Sequence, residues 1–405
     1  MKSYKHLFSA CLKDNPNHFA AHSHHPWPDV TFEAQKQCWI DAAKGLDHKW
    51  ENVFKNILQP TRKFIADLLG GVSPQQICEG QNTFEILLRV MSSLNWTTYK
   101  PVTILTTDSE FYSFSRLAQS LKQNEFIKIE HVPTEPFKTF NDRFLKALKK
   151  QHYEMVYLSQ VFFNSGFTTS SLFEDLKKNK GEALVIIDGY HATGAIPVDV
   201  SKFVDDFYYI SGGYKYLTSG EGCCFLYAPP NDSRAPMFTG WYTQLSMLAD
   251  VEKNGGLKDP NAALKFPSDG QKWAGATFDP TAWYRMKAVA DLWHNEGLTP
   301  KIIHERVIEL QKIFLNELKS LVGFYNDEQS QSFDKKALNL VGFDGFKEWG
   351  NFLTFDSAKA SEIELTLKTQ GYTIDRRGNR LRFGFGIYHD QDDILRLSKT
   401  LKSTV

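Results

Sequence analysis

Short apolar runs alternate with amphipathic stretches from about residue 60 to 230, which predicts an α/β fold: a large domain on a mainly parallel, doubly wound sheet of seven strands, followed by a smaller α+β domain. Two further observations support this class. The run Leu184-Val185-Ile186-Ile187 is apolar at every position, the pattern of a parallel strand covered on both faces. After about residue 285 the alternation gives way to two long helical stretches and a strand–helix–strand–strand–helix series from Asn351 onward. The expected division is an N-terminal segment (1–50), a large domain (51–284) and a small domain (285–405).

The strands expected in order are Ile77-Cys78, Val102 to Leu105, Phe126 to Ile129, Met155 to Leu158, Leu184 to Ile187, Phe207 to Ile210, and the buried run Cys223 to Tyr227. Between and after them, apolar spacing predicts helices over Phe84 to Leu94, Phe144 to Lys150, Trp283 to Asn295 and Lys301 to Leu321. No repeat, low-complexity segment or long Pro/Gly/Ser linker interrupts the series.

Composition sets limits on function. The 47 basic and 47 acidic residues cancel, which argues against a broad nucleic-acid surface. The start Met1 to His6 has no basic region leading into an apolar one, and no apolar run is long enough to span a membrane, so a cytoplasmic protein without a membrane partner is expected. Cys11, Cys38, Cys78, Cys223 and Cys224 are odd in number and scattered, as reduced thiols rather than a disulfide framework or zinc site would be. His22, His24 and His25 have no accompanying acid or cysteine cluster, and no metal is expected there.

Two segments carry the chemistry. Asp188 ends the apolar run, at the carboxyl edge where open α/β sheets place ligand-binding groups. Lys215 follows Asp206 to Ile210 and stands among glycine and aromatic residues, whose desolvation would lower an amine's pKa and make it a nucleophile. An acid facing a pyridine nitrogen and a Schiff-base lysine on the next strand form a pair that holds pyridoxal phosphate. His191 is placed either beside the ring or pinning Asp188. A third segment, Gly80-Gln81-Asn82-Thr83, turns into a helix start and offers amides and a hydroxyl to a phosphate, although an ordinary Asn or Thr N-cap reads the same way.

The set Asp188 to His191, Asp206-Phe207, Gly213 to Leu217 with Gly220-Glu221-Gly222, and Gly240-Trp241-Tyr242 resembles the class V aminotransferase superfamily, fold-type I pyridoxal-phosphate enzymes, and is most similar to kynureninases. The resemblance implies an amino-acid substrate and a homodimer with its site at the interface. In that reading Tyr214 is a phosphate ligand, and Trp241 and Thr277 reach the phosphate of the other subunit. Phe111 matches the kynureninase residue that stacks on the ring, whereas Phe114 stands where kynureninases have an acid. Asn164 contacts the cofactor's phenolic oxygen or the substrate, or simply forms a turn before Gly166.

Arg382 matches the arginine that forks onto a substrate α-carboxylate. Ser23 corresponds to a residue of the kynureninase pocket loop and, with His24, is assigned to the substrate side. The rest of the His22 to Pro28 stretch departs from that loop. The expected reaction is Cβ–Cγ hydrolysis of the kynureninase kind. Transamination, another lyase or epimerase reaction, and a catalytically silent cofactor-binding protein are the alternatives. Desulfuration is the least expected, since its mobile cysteine has no counterpart after Cys224. A Gly-x-Gly-x-x-Gly nucleotide turn is lacking in the required context.

Overall fold

The computed structural model describes residues 2–97, 99–247, 264–324, 336–342, 345–346 and 349–405. Seven strands form the large sheet: β1 (Ile77–Gly80), β2 (Val102–Thr107), β3 (Ile127–Val132), β4 (Met155–Ser159), β5 (Leu184–Asp188), β6 (Phe207–Gly212) and β7 (Cys224–Tyr227), in the order β1-β7-β6-β5-β4-β2-β3. The pairs from β3 through β6 are parallel, while β7 runs antiparallel to both β6 and β1.

Strand alternation sends the side chains of β5 into two separate cores. Val185 and Ile187 pack in one, and Leu184 and Ile186 in the other. These four side chains are at most 1% exposed, and burying each contributes about 1.5–3 kcal/mol. A sheet covered on both faces leaves its carboxyl edge as the place for polar function. Glu110 and Phe111 just after β2, Ser159 at the end of β4, Asp188 at the end of β5 and Lys215 just after β6 all lie along that edge.

The helices expected from spacing appear at Thr83–Met91, Phe140–Leu148, Thr281–Glu296 and Pro300–Glu317. The helix Thr281–Glu296 runs through the expected division at residue 284 and ends at Gly297, whose φ of 65° is a left-handed C-cap. The small sheet contains β8 (Val322–Phe324), β9 (Leu338–Leu340), β10 (Phe352–Asp356), β11 (Asp375–Arg377) and β12 (Arg380–Gly384), ordered β11-β12-β10-β9-β8. The sequence reading missed β8 and β9, because three residues carry too little periodicity to register.

The N-terminal segment lies along the small domain. Single bridges join His18 to Thr373 and Ala20 to Gly384, next to β12. No described helix is long and apolar enough to cross a membrane.

Candidate active site

A cavity of about 200 Å³ opens at the carboxyl edge of the large sheet, and its walls include Gln81, Asn82, Thr83, Phe111, Asp188, His191, Tyr214 and Lys215. Eight residues singled out from sequence therefore meet in one place, drawn from four segments of the chain.

Lys215 sits in the tight loop between β6 and β7, with its own carbonyl accepting from the Thr218 amide. Its side chain is 4% exposed and its Nζ is 2.7 Å from His191 Nε2. Burial, reinforced by the positive charge of Arg382 and opposed by Asp188, lowers the Lys215 amine to about 7. His191 is held well below the usual imidazole range by burial and then by Lys215 and Arg382, so a neutral imidazole faces the Lys215 amine. The ring of Phe111 is centred 5.5 Å from Lys215 Nζ and that of Tyr214 5.4 Å.

Asp188 is held by groups the sequence reading did not single out. Its Oδ2 accepts from the Tyr157 hydroxyl at 2.8 Å and its Oδ1 from the Tyr190 amide at 2.9 Å. Burial raises its pKa, and the Tyr190 amide, the Tyr157 hydroxyl and Lys215 act against that rise. Tyr157 in turn stacks on Phe114 at 3.9 Å with the rings 5° from parallel. Phe114 thus braces the hydrogen-bond partner of Asp188. Of the two places expected for His191, beside the ring or pinning Asp188, its Nε2 takes neither Asp188 oxygen and bonds Lys215 Nζ. The turn after β5 closes by bonds from the Ala192 and Thr193 amides to the Gly189 carbonyl, and this carries the imidazole to Lys215 instead.

Behind Asp188 lies a second carboxyl group, also missed. Glu110 is 5% exposed; its Oε1 accepts from the Thr107 hydroxyl at 2.7 Å, and its Oε2 from the Ser159 amide at 3.0 Å and hydroxyl at 2.5 Å. Burial pushes it up to about 8 despite those bonds. Register offered a signal for these groups, since Ser159 pairs with Asp188 across β4 and β5 and Tyr157 lies two residues before it on the same strand face.

At the other end of the cavity the helix Thr83–Met91 begins. Asn82 is its N-cap, with its side chain accepting from the Glu85 amide at 2.9 Å, while Gln81 donates to the Asp279 carbonyl at 3.3 Å. The start of this helix, Asn82 and Thr83, forms part of the cavity wall, where the positive end of the helix dipole favours an anion.

Six expected residues lie outside the cavity wall. Asn164 accepts from the Ser109 hydroxyl. Trp241 and Thr277 are exposed and bond to each other, Nε1 to Oγ1, at 3.2 Å. Ser23 is half-buried; His24 is exposed, its Nε2 3.8 Å from Glu221 and its ring centred 5.4 Å from that of Tyr214. Arg382 is 3% exposed and donates through Nη1 to the carbonyl of Phe163, a residue of the cavity wall, and through Nη2 to Asp375. Burial lowers it to about 10. Among the described residues no group of His, Cys, Asp and Glu could hold a metal ion.

The donor set fits pyridoxal phosphate: an amine for its aldehyde, a carboxylate for its ring nitrogen, a helix start for its phosphate and an aromatic side chain for its ring face. Solved structures of such enzymes share the fold. A variant of C-DES with glycine covalently linked to its pyridoxal-phosphate cofactor matches with a TM-score of 0.80 at 15% identity, covering 100% of both chains. The cystine C–S lyase C-DES in complex with its product, cysteine persulfide, gives 0.78 at 16% identity, covering 98% of this chain and 99% of that one. Cysteine desulfurase from Thermococcus onnurineus NA1 gives 0.75 at 17% identity, covering 100% and 98%. No curated protein sequence matches. The profile of the aminotransferase class-V family spans residues 34–397, which take in every element that builds the cavity, and the chain belongs to that pyridoxal-phosphate-dependent family.

Proposed function

We propose that the chain acts on an α-amino acid with Lys215 as its base, and that its reaction is kynureninase-like hydrolysis of a Cβ–Cγ bond. The observation that carries the base assignment is the buried Lys215 amine, lowered to about 7, in one cavity with the buried carboxylate of Asp188. When bound, pyridoxal phosphate supplies an electron sink for charge left at the substrate α-carbon. Lys215 would carry its aldehyde carbon and afterwards, as a free amine, move the α-proton. His191, bonded to Lys215 Nζ, holds that nitrogen in place and gives it a neutral neighbour.

Asp188 would face the ring nitrogen, Phe111 would cover the ring, and Thr83, the helix start beside Asn82 and the Tyr214 hydroxyl would hold the phosphate. Arg382 would take the α-carboxylate. Ser23 and His24 border the substrate side, and Asn164 orients Ser109. Trp241 and Thr277, exposed and paired, would complete the phosphate site of a second copy, making a homodimer. Five free thiols support a reducing, cytoplasmic setting.

The choice of hydrolysis rests on Phe111 and Tyr214 flanking Lys215, two of the positions that resemble kynureninases. A second reading, β-elimination at a C–S bond, is favoured by the likeness to the cystine C–S lyase and needs the same base. Sulfur transfer to a protein cysteine is disfavoured, since no cysteine follows Cys224 in the 405 residues. Purified protein loaded with pyridoxal phosphate should release alanine from kynurenine or 3-hydroxykynurenine. Pyruvate formation from cystine would replace this reading by elimination. Turnover that requires a keto acid would replace it by transamination.

A further inference from the structure

Asp375 lies directly across from Arg382 in the β11–β12 pair. Its Oδ2 accepts from Arg382 Nη2 while Nη1 donates to the Phe163 carbonyl, so the guanidinium fork is filled by the chain's own groups and Nε is left buried with no partner. The same Asp375 Oδ2 is 3.5 Å from His22 Nε2. His22 is fully buried, neither ring nitrogen has a hydrogen-bond partner, and its ring stacks on Phe352 at 4.6 Å. Burying two idle ring nitrogens costs solvation free energy that no interaction in this state offsets. A second state of the site in which His22 acquires a partner accounts for that arrangement, and the nearest candidate is the carboxylate already beside it.

We propose that Asp375 is an internal occupant of the carboxylate position on Arg382: an incoming carboxylate takes the arginine fork, and the released Asp375 pairs with His22, which takes up a proton from solvent. This rests on the reading of Arg382 as the α-carboxylate clamp. The exchange keeps the buried charges paired. Before it, Asp375 is shared by Arg382 and, at 3.9 Å, by Arg377 Nε; after it, Arg382 holds the ligand and Asp375 keeps Arg377 and gains His22.

The charged and titratable groups facing His22 are Asp375 and Arg377 on β11, Arg382 on β12, Lys215 after β6, His18 in its own segment, and His191, which packs against Phe352 and is bonded to the His22 backbone. Burial, and then the Arg382, Lys215, His18 and Arg377 charges, keep the imidazole neutral while Arg382 is engaged with Asp375. A ligand anion on Arg382 offsets the first of those charges and frees the Asp375 carboxylate, already 3.5 Å away, to pair with His22. The site therefore selects ligands that can outcompete a resident aspartate, meaning a free planar carboxylate rather than an ester or amide.

The test is calorimetric titration of the cofactor-loaded enzyme with propionate, above neutral pH, in two buffers of different ionisation enthalpy. Wild type should take up protons on binding. Asp375→Asn, which removes the competitor, should bind propionate about tenfold more tightly without proton uptake. His22→Gln should bind but take up no proton. Unchanged or weaker binding by Asp375→Asn, or uptake that persists in His22→Gln, would overturn the proposal. Asp375→Ser and His22→Asn serve the same two arms where a first variant does not fold, as judged by circular dichroism. Arg382→Lys separates the two readings: undiminished propionate binding there would remove the clamp assignment itself.

Discussion

Lys215 Nζ and His191 Nε2 are 2.7 Å apart, each the other's hydrogen-bond partner, and both side chains are buried. Only the unprotonated amine attacks an aldehyde. Burial and the Arg382 charge bring Lys215 down to about 7, so the rate at which cofactor-free protein takes up pyridoxal phosphate should rise with pH through about 7 and then level off. Stopped-flow absorbance measures it, and a rate still climbing toward the ordinary lysine range would contradict the assignment. Lys215→Ala should lower turnover by about 10²–10⁴-fold or more.

Asp188→Asn should leave the cofactor bound but remove the carboxylate facing its ring nitrogen, lowering kcat by about 10²–10³-fold. Tyr157→Phe keeps the stack on Phe114 and deletes one bond to Asp188, for a loss of about tenfold. Steady-state kinetics with the cofactor saturating check both. A larger loss from Tyr157→Phe than from Asp188→Asn would mean that the tyrosine acts directly.

Glu110 gives the fold a pH dependence of definite sign. Burial raises its folded value to about 8, above the ordinary 4.5, so the folded chain keeps a proton that the unfolded chain releases between those values. Its contribution to stability is complete below 4.5 and is lost as pH rises through 8. Glu110→Gln fixes the neutral form and should flatten that part of the melting-temperature profile. Parallel profiles for the two proteins would refute this.

Gly384 lies where the N-terminal segment crosses β12. A Cβ there would overlap His22 Nδ1 and sit 2.8 Å from the His22 backbone nitrogen and 3.0 Å from that of Ala21. Backbone cannot swing aside as a side chain end can, so Gly384→Ala should cost about 1–3 kcal/mol. It should also raise KM more than it lowers kcat, because the strain falls beside Arg382 rather than Lys215. Thermal melts and kinetics together would show it.

Asp188 and Lys215 were legible because each breaks a pattern: a charge ending a fully apolar strand, and a lysine among glycines and aromatics. Strand register was not legible, and it brings Ser159 beside Asp188 and Asp375 beside Arg382. The same limit hid Glu110 and Tyr157, whose roles come from which strand lies next to which. In the N-terminal segment likeness points to Ser23 alone, with His24 beside it, while burial picks out His22, the residue whose neighbours come from remote sheets. Spacing along the chain carries local structure and says little about meetings across more than 300 residues.

The large sheet is complete once Tyr227 has paired with Ile77, whereas Arg382 comes more than 150 residues later. A growing polypeptide emerging from the ribosome therefore has Asp188 and Lys215 in hand well before the strand that carries Arg382 has been translated. If Asp188 and Lys215 seat the cofactor and Arg382 grips the substrate, as proposed, translation delivers the parts of the seat before it delivers the grip.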